Sequence, residues 1–148
     1  MFQRLLRTEP DVATLVLRVL TGVVFFPHGA QKVFGWFGGY GIQGTMGFFA
    51  SLGIPVVFGY LAIAAEFLGS LGLITGLLTR VAAFGIACNM VVAVALVHLK
   101  QGFLMNWSGN QGGEGFEFHI LAVAIAVVLM IRGGGLLSID AALAAKGR

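Results

Sequence analysis

The chain has three histidines, and each stands at or near the end of an apolar run: His28 in FFPHGAQK, His98 in VALVHLKQGF and His119 in GFEFHILAV. Lys32 follows the first histidine by four residues, and Glu117 precedes the last by two. An imidazole of near-neutral pKa takes up and returns protons, an ammonium polarises an oxygen, and a carboxylate accepts a proton. Such groups around one space would serve a small ligand with a polar head. Three histidines and a glutamate would also suit zinc, copper or iron. Neither the H-x-x-x-H nor the H-x-x-E spacing occurs, however, and the donors would come from three separate segments. The single cysteine, Cys88, lies inside an apolar run and excludes thiol–disulfide cycling within one chain. No G-x-G-x-x-G follows a strand pattern, so no nucleotide-binding unit is expected.

The elements that position these groups follow from composition. Hydrophobic residues make up 58% of the 148 and charged residues 10%, against about 25% charged in an ordinary soluble domain. A chain this small cannot bury so much apolar surface in a water-soluble core. The expected fold is therefore an all-α membrane protein, a single domain over residues 1–148 built as a four-transmembrane-helix bundle. Its spans are read at about 12–34, 54–78, 81–99 and 116–133, the last reaching span length only by extending to about Gly133. Arg4, Arg7, Arg80, Arg132, Lys146 and Arg148 fall on the side opposite the two long connections. The positive-inside rule then places both termini and the TGLLTR turn in the cytoplasm, for a multi-pass protein of the cytoplasmic (inner) membrane. The net charge of +3 forms no basic stripe, so the bilayer and not nucleic acid is the expected partner. The first helix is read as retained, because Glu9 and Asp11 interrupt a signal-like start and a cut after Ala30 would place His28 where a small residue is needed.

Residue counting along these spans puts His28, Lys32, His98, Glu117 and His119 in the outer half of the bundle. His28 and Lys32 share a helical face, and Pro27 beside them removes a backbone hydrogen bond and favours a kink. The expected site is a polar pocket of His28, Lys32, His98 and Glu117. His119 and Trp36 are additional ligand contacts, and the loop carrying Gly35, Trp36 and Phe37 forms its cover. Each residue also has a plainer reading: Lys32 snorkelling to the headgroups, His98 as an interfacial helix end, Cys88 as packing. Arg18 and Glu66, on the first two spans at depths that differ by no more than the reach of an arginine, are expected to form a structural ion pair.

The pattern resembles the DoxX family of small four-helix membrane proteins over about Leu17 to Asp140. The likeness rests on LRVLTGVVFFPHGAQKVFGWFGG with Arg18, Gly22, His28-Gly29, Lys32 and Gly35, and on AEFLGSLGLITGLLTRVAA with Glu66 and Arg80. It extends through NMVVAVALVHLKQGF with His98, GFEFHILAVA with Glu117, and the GGGLLSIDA tail, where Gly134 replaces a common proline. The resemblance implies quinone or sulfur redox chemistry in an oxidoreductase or a subunit of one. Quinone is then the implied cofactor, with metal or haem as alternatives. The same residues are open to a non-catalytic accessory or assembly subunit with a redox partner, to a homo-oligomer, and to a small proton-coupled transporter using Glu66.

Overall fold

The computed structural model describes residues 5–146, and all regular secondary structure over them is helical. Arg4 and Arg148, two of the basic residues behind the expected orientation, lie outside the described residues, as does the side chain of Lys146. The helices are α1 (Val12–Phe34), α2 (Gly41–Ser51), α3 (Val56–Thr75), α4 (Thr79–Ala93), α5 (Glu117–Arg132) and α6 (Ile139–Lys146). A π-helical turn, Val94–His98, and a 3-10 turn, Leu99–Gln101, carry α4 onward to Gln101.

Local chemistry explains the ends of α1. Asp11 is its N-cap, accepting from the amides of Ala13 (3.3 Å) and Thr14 (2.8 Å) and from the Thr14 hydroxyl (2.6 Å). The Thr14 hydroxyl above all, then its amide, holds the Asp11 carboxyl below the usual aspartate range. Gly35 ends α1 in the left-handed conformation, φ 73°, its N–H returning to Gln31. Pro27 lies inside α1 without terminating it.

In the bundle α1 packs chiefly on α3, α3 on α4, and α4 on α5, while α5 closes back on α1. The core is Phe25 of α1, Leu73 of α3, Ala83, Ile86, Ala87 and Met90 of α4, and Ala122, Ala126 and Leu129 of α5. Glycine sets how closely α1 and α3 approach. A side chain at Gly29 would meet Phe67 Cα at 2.6 Å, and one at Gly22 would meet the Ser70 carbonyl at 2.8 Å.

The polarity of the bundle is that of a protein in lipid. Outward faces carry Leu20 and Val23 on α1, Phe58, Leu61 and Leu68 on α3, Phe84 and Val91 on α4, and Leu121 and Ile131 on α5. Buried positions include Arg18, Glu66, Ser70, Thr79 and His119. Among the described residues three helices are long and apolar enough to cross a bilayer: Val12–Phe34, Val56–Thr75 and Thr79–Gln101. At 16 residues, α5 is about 24 Å long at ~1.5 Å per residue, short of a hydrocarbon core of ~30 Å.

Two helices depart from the sequence reading. The glycine-rich segment 41–51, read as loop, forms α2, and residues 139–146 form α6. The end carrying α6 is tied by buried polar contacts. Asp140 accepts from the amides of Leu78 (2.7 Å) and Thr79 (2.8 Å), capping α4 across the chain. Arg80 donates to the carbonyls of Arg7 and Met130.

Candidate functional site

A cavity of about 430 Å³ opens at the long-loop end of the bundle. His28 and Lys32 of α1, Glu66 of α3, Asn89 of α4, His98 of the π-turn, and Glu114 and His119 line its polar side. Phe25, Met90 and Phe118 form part of its apolar wall, and Phe48, Phe49 and Leu52 border it from α2 and the residue that follows.

The close approach at Gly29 accounts for the central contact. It brings α1 against the backbone of Glu66 and Phe67, so Lys32, one turn farther on, reaches inward. Lys32 Nζ lies 2.5 Å from Glu66 Oε2. Asn89 Nδ2 donates to Glu66 Oε1 at 3.1 Å and to the Ala62 carbonyl at 3.0 Å. Both carboxylate oxygens of Glu66 are therefore engaged, and the carboxylate is almost wholly buried, its side chain 8% exposed. Lys32 does not snorkel away from the bundle.

The opposite wall carries two closely apposed imidazoles, their planes tilted by 42°. The His98 and His119 rings lie 4.1 Å apart, centroid to centroid. Nδ1 of His98 is 2.8 Å from the Glu114 carbonyl, so the tautomer with a proton on Nδ1 donates there. His119 is buried, and its Nδ1 has no hydrogen-bond partner among the described residues. Among those residues no group of three or more His, Cys, Asp or Glu converges as metal ligands.

The structure thus gathers His28, Lys32, His98 and His119 around one space and adds Glu66, Asn89 and Glu114. It leaves out Glu117 and Trp36. Glu117 Oε1 accepts from the Met105 amide (2.7 Å), with the Trp107 indole N–H at 3.4 Å. This carboxylate organises the second long loop because it stands in the first turn of α5, facing unpaired amides of the returning chain. Trp36 is half-exposed and lies against Phe34, ring centroids 4.8 Å apart. The loop around it folds back along α1: Gly39 packs on the Gln31 backbone, and Gln31 Nε2 donates to the Phe37 carbonyl at 3.1 Å. The cavity's cover is instead α2, through Phe48 and Phe49.

The expected Arg18–Glu66 pair is also corrected. Arg18 is buried at the other end of α3. It donates to the carbonyls of Leu73 (2.6 Å), Ile74 (2.7 Å), Gly134 (2.8 Å), Leu136 (3.3 Å) and Leu137 (3.3 Å). A helix C-terminus presents carbonyls without intrahelical partners and a negative dipole end, and a guanidinium has five N–H donors to satisfy them.

An all-helical chain with charged groups inside and aliphatic side chains outside is an integral membrane protein of the small helical-bundle class. The comparisons with known proteins are more specific. The DoxX family profile matches residues 13–99, and the chain belongs to that family. It is also 32% identical over 136 residues to a protein of Bacillus subtilis (strain 168) named "Putative oxidoreductase CatD", the match covering 88% of this chain and 86% of that protein. No solved structure matches it.

Proposed function

We propose that this DoxX protein is a quinone-linked membrane oxidoreductase or a subunit of one, and that the cavity between α1, α3 and α4 receives the quinone head group. The observation that carries the reading is the buried His119 Nδ1, which has no partner and sits in a cavity that also holds Lys32, Glu66 and two further histidines. A buried polar atom is ordinarily paired. A ligand oxygen or hydroxyl at this position would pair it. Lys32 would polarise a quinone oxygen, and His28 and His119 would exchange protons with the reduced head group. The name of the Bacillus subtilis relative accords with redox chemistry. The transporter alternative finds no free carboxylate at Glu66, which is held by Lys32 and Asn89.

The test is titration of 2,3-dimethoxy-5-methyl-1,4-benzoquinone, which has no chain, into protein in lipid nanodiscs. Binding should weaken at least tenfold in His119→Phe and in His28→Ala, with melting temperatures within a few degrees of the parent. His119→Phe keeps a ring against Phe118 and His98, so it removes the nitrogens more than the packing. Unchanged affinity in both variants would defeat the reading.

In the proposed topology α5 is the fourth span, thinning the bilayer locally or drawing on flanking residues, and both termini lie in the cytoplasm. Arg7, Arg80 and Arg132 cluster at the termini end, which supports this orientation. Tyr40 and Ser108 are exposed positions in the two long connections, suited to cysteine reporters. In a Cys88→Ala background, Tyr40→Cys and Ser108→Cys should react with an impermeant maleimide added to intact cells, and Leu143→Cys only after lysis. The reverse pattern would overturn the orientation.

A further inference from the structure

A second and larger hollow, about 1030 Å³, runs along the outer face of the α3–α4 hairpin. It extends from Leu52 and Ile54 at the long-loop end to Leu77 and Leu78 at the opposite turn. The intervening α3 has 20 residues, about 30 Å at ~1.5 Å per residue, which is the thickness of a hydrocarbon core. Small side chains make the concavity: Ala62, Ala65, Gly69 and Gly72 recur at three- and four-residue spacing on α3, facing Ala82 and Gly85 of α4. Its walls are almost wholly carbon. The hydroxyl of Thr75 is turned onto the Leu71 carbonyl at 2.8 Å, and the one amide side chain is Asn89.

Asn89 is also where the hollow meets the polar cavity. The two share Leu52, Ile54, Ala62, Asn89, Val92 and Leu96. The two spaces therefore adjoin across these residues, a polar end lined by histidines, lysine and glutamate beside an apolar arm along the membrane face. Small-molecule sites commonly combine an apolar lining with a few placed polar groups. Here the two are separated along a length, which is the shape of a molecule with a polar ring at one end and a hydrocarbon chain at the other.

We infer that the α3–α4 groove holds the isoprenoid chain of a membrane-resident quinone, so that the protein selects chain-bearing quinones from the bilayer over water-soluble ones. The inference rests on the head-group reading of the cavity and adds the ligand's second half. A second copy of the chain packed on the hairpin would cover the groove but would leave its shared border with the polar cavity without a role, and a phospholipid would bring a phosphate to a cavity whose one ammonium is already paired with Glu66.

The test compares the chainless benzoquinone with its decyl homologue in nanodiscs, each affinity corrected for partitioning into lipid. The decyl compound should bind at least tenfold more tightly. Leu68→Trp and Val81→Trp place bulk in the groove from exposed positions that do not line the polar cavity. They should abolish this chain-dependent gain and leave binding of the chainless ring unchanged. Equal corrected affinity for the two compounds in the parent would overturn the groove assignment and leave the head-group reading standing. Loss of all ring binding in the parent would defeat both. Displacement of decyl-quinone by decyl-chain phospholipid at equal concentration, or a dimer in native mass spectrometry that either tryptophan converts to monomer, would assign the groove to lipid or to a second copy instead.

Discussion

Arg18→Ala should yield almost no folded protein, and Arg18→Lys should recover less than half of the stability that Arg18→Ala loses. One guanidinium closes two carbonyls at the end of α3 and three in the 134–137 segment. Each buried acceptor left unpaired costs about 1–3 kcal/mol, and water cannot reach all five without opening the helix ends. The combined loss should exceed about 3 kcal/mol, a large part of a total stability of ~5–15 kcal/mol. Lysine keeps the charge but offers three donors from one point in place of a five-donor fork. Fluorescence-detected size exclusion after mild solubilisation, followed by unfolding in mixed micelles, reads both variants. An Arg18→Ala protein within about 1 kcal/mol of the parent would show that the α3 terminus finds other donors.

The same residue shows what the sequence can and cannot display. Hydropathy and the scarcity of charge made the apolar helices visible, with boundaries within a few residues at α1 and α3. That Arg18 is expensive to expose to lipid was equally legible, and it is buried. Its partners were not, because residue counting along idealised spans sees side chains and not unpaired carbonyls. Once Arg18 is occupied at the helix end, Glu66 is free for Lys32, and the contact that joins them depends on the absence of a side chain at Gly29. A glycine beside a histidine was readable as a motif, but the helix it lets in was not. The segment 41–51 looked like a loop because its three glycines lower helix propensity, and α2 is held by tertiary packing on α1 and α3. The π-turn that sets His98 beside His119 inserts a residue's worth of rotation that no 3.6-residue count contains. Glu117 lies outside the cavity lining for a simpler reason. Two residues from His119, it points into the second long loop, and the cavity takes Glu66 of α3 and Glu114 instead.

The Lys32–Glu66 contact separates architecture from chemistry more sharply than any other pair in the protein. Lys32→Met should lower stability by about 1–3 kcal/mol, the cost of leaving a buried acceptor unpaired, because Glu66 would keep only the Asn89 amide beside its carboxylate. Glu66→Leu should cost a similar amount by stranding the ammonium. The double variant Lys32→Met/Glu66→Leu should return to within about 1 kcal/mol of the parent, since a well-packed apolar pair often replaces a buried ion pair without net loss. Its unfolding in mixed micelles against the two single variants gives the coupling energy directly. Losses that simply add would mean that the two side chains act independently, despite their 2.5 Å separation. Binding should follow the opposite course. The restored bundle would lack the ammonium proposed to polarise the quinone oxygen and the carboxylate that holds it in place, so titration with chainless benzoquinone should remain at least tenfold weaker than in the parent. A double variant that is both stable and fully competent to bind would assign Lys32 and Glu66 to helix registration alone, leaving the three histidines and Asn89 as the polar groups available to a ligand.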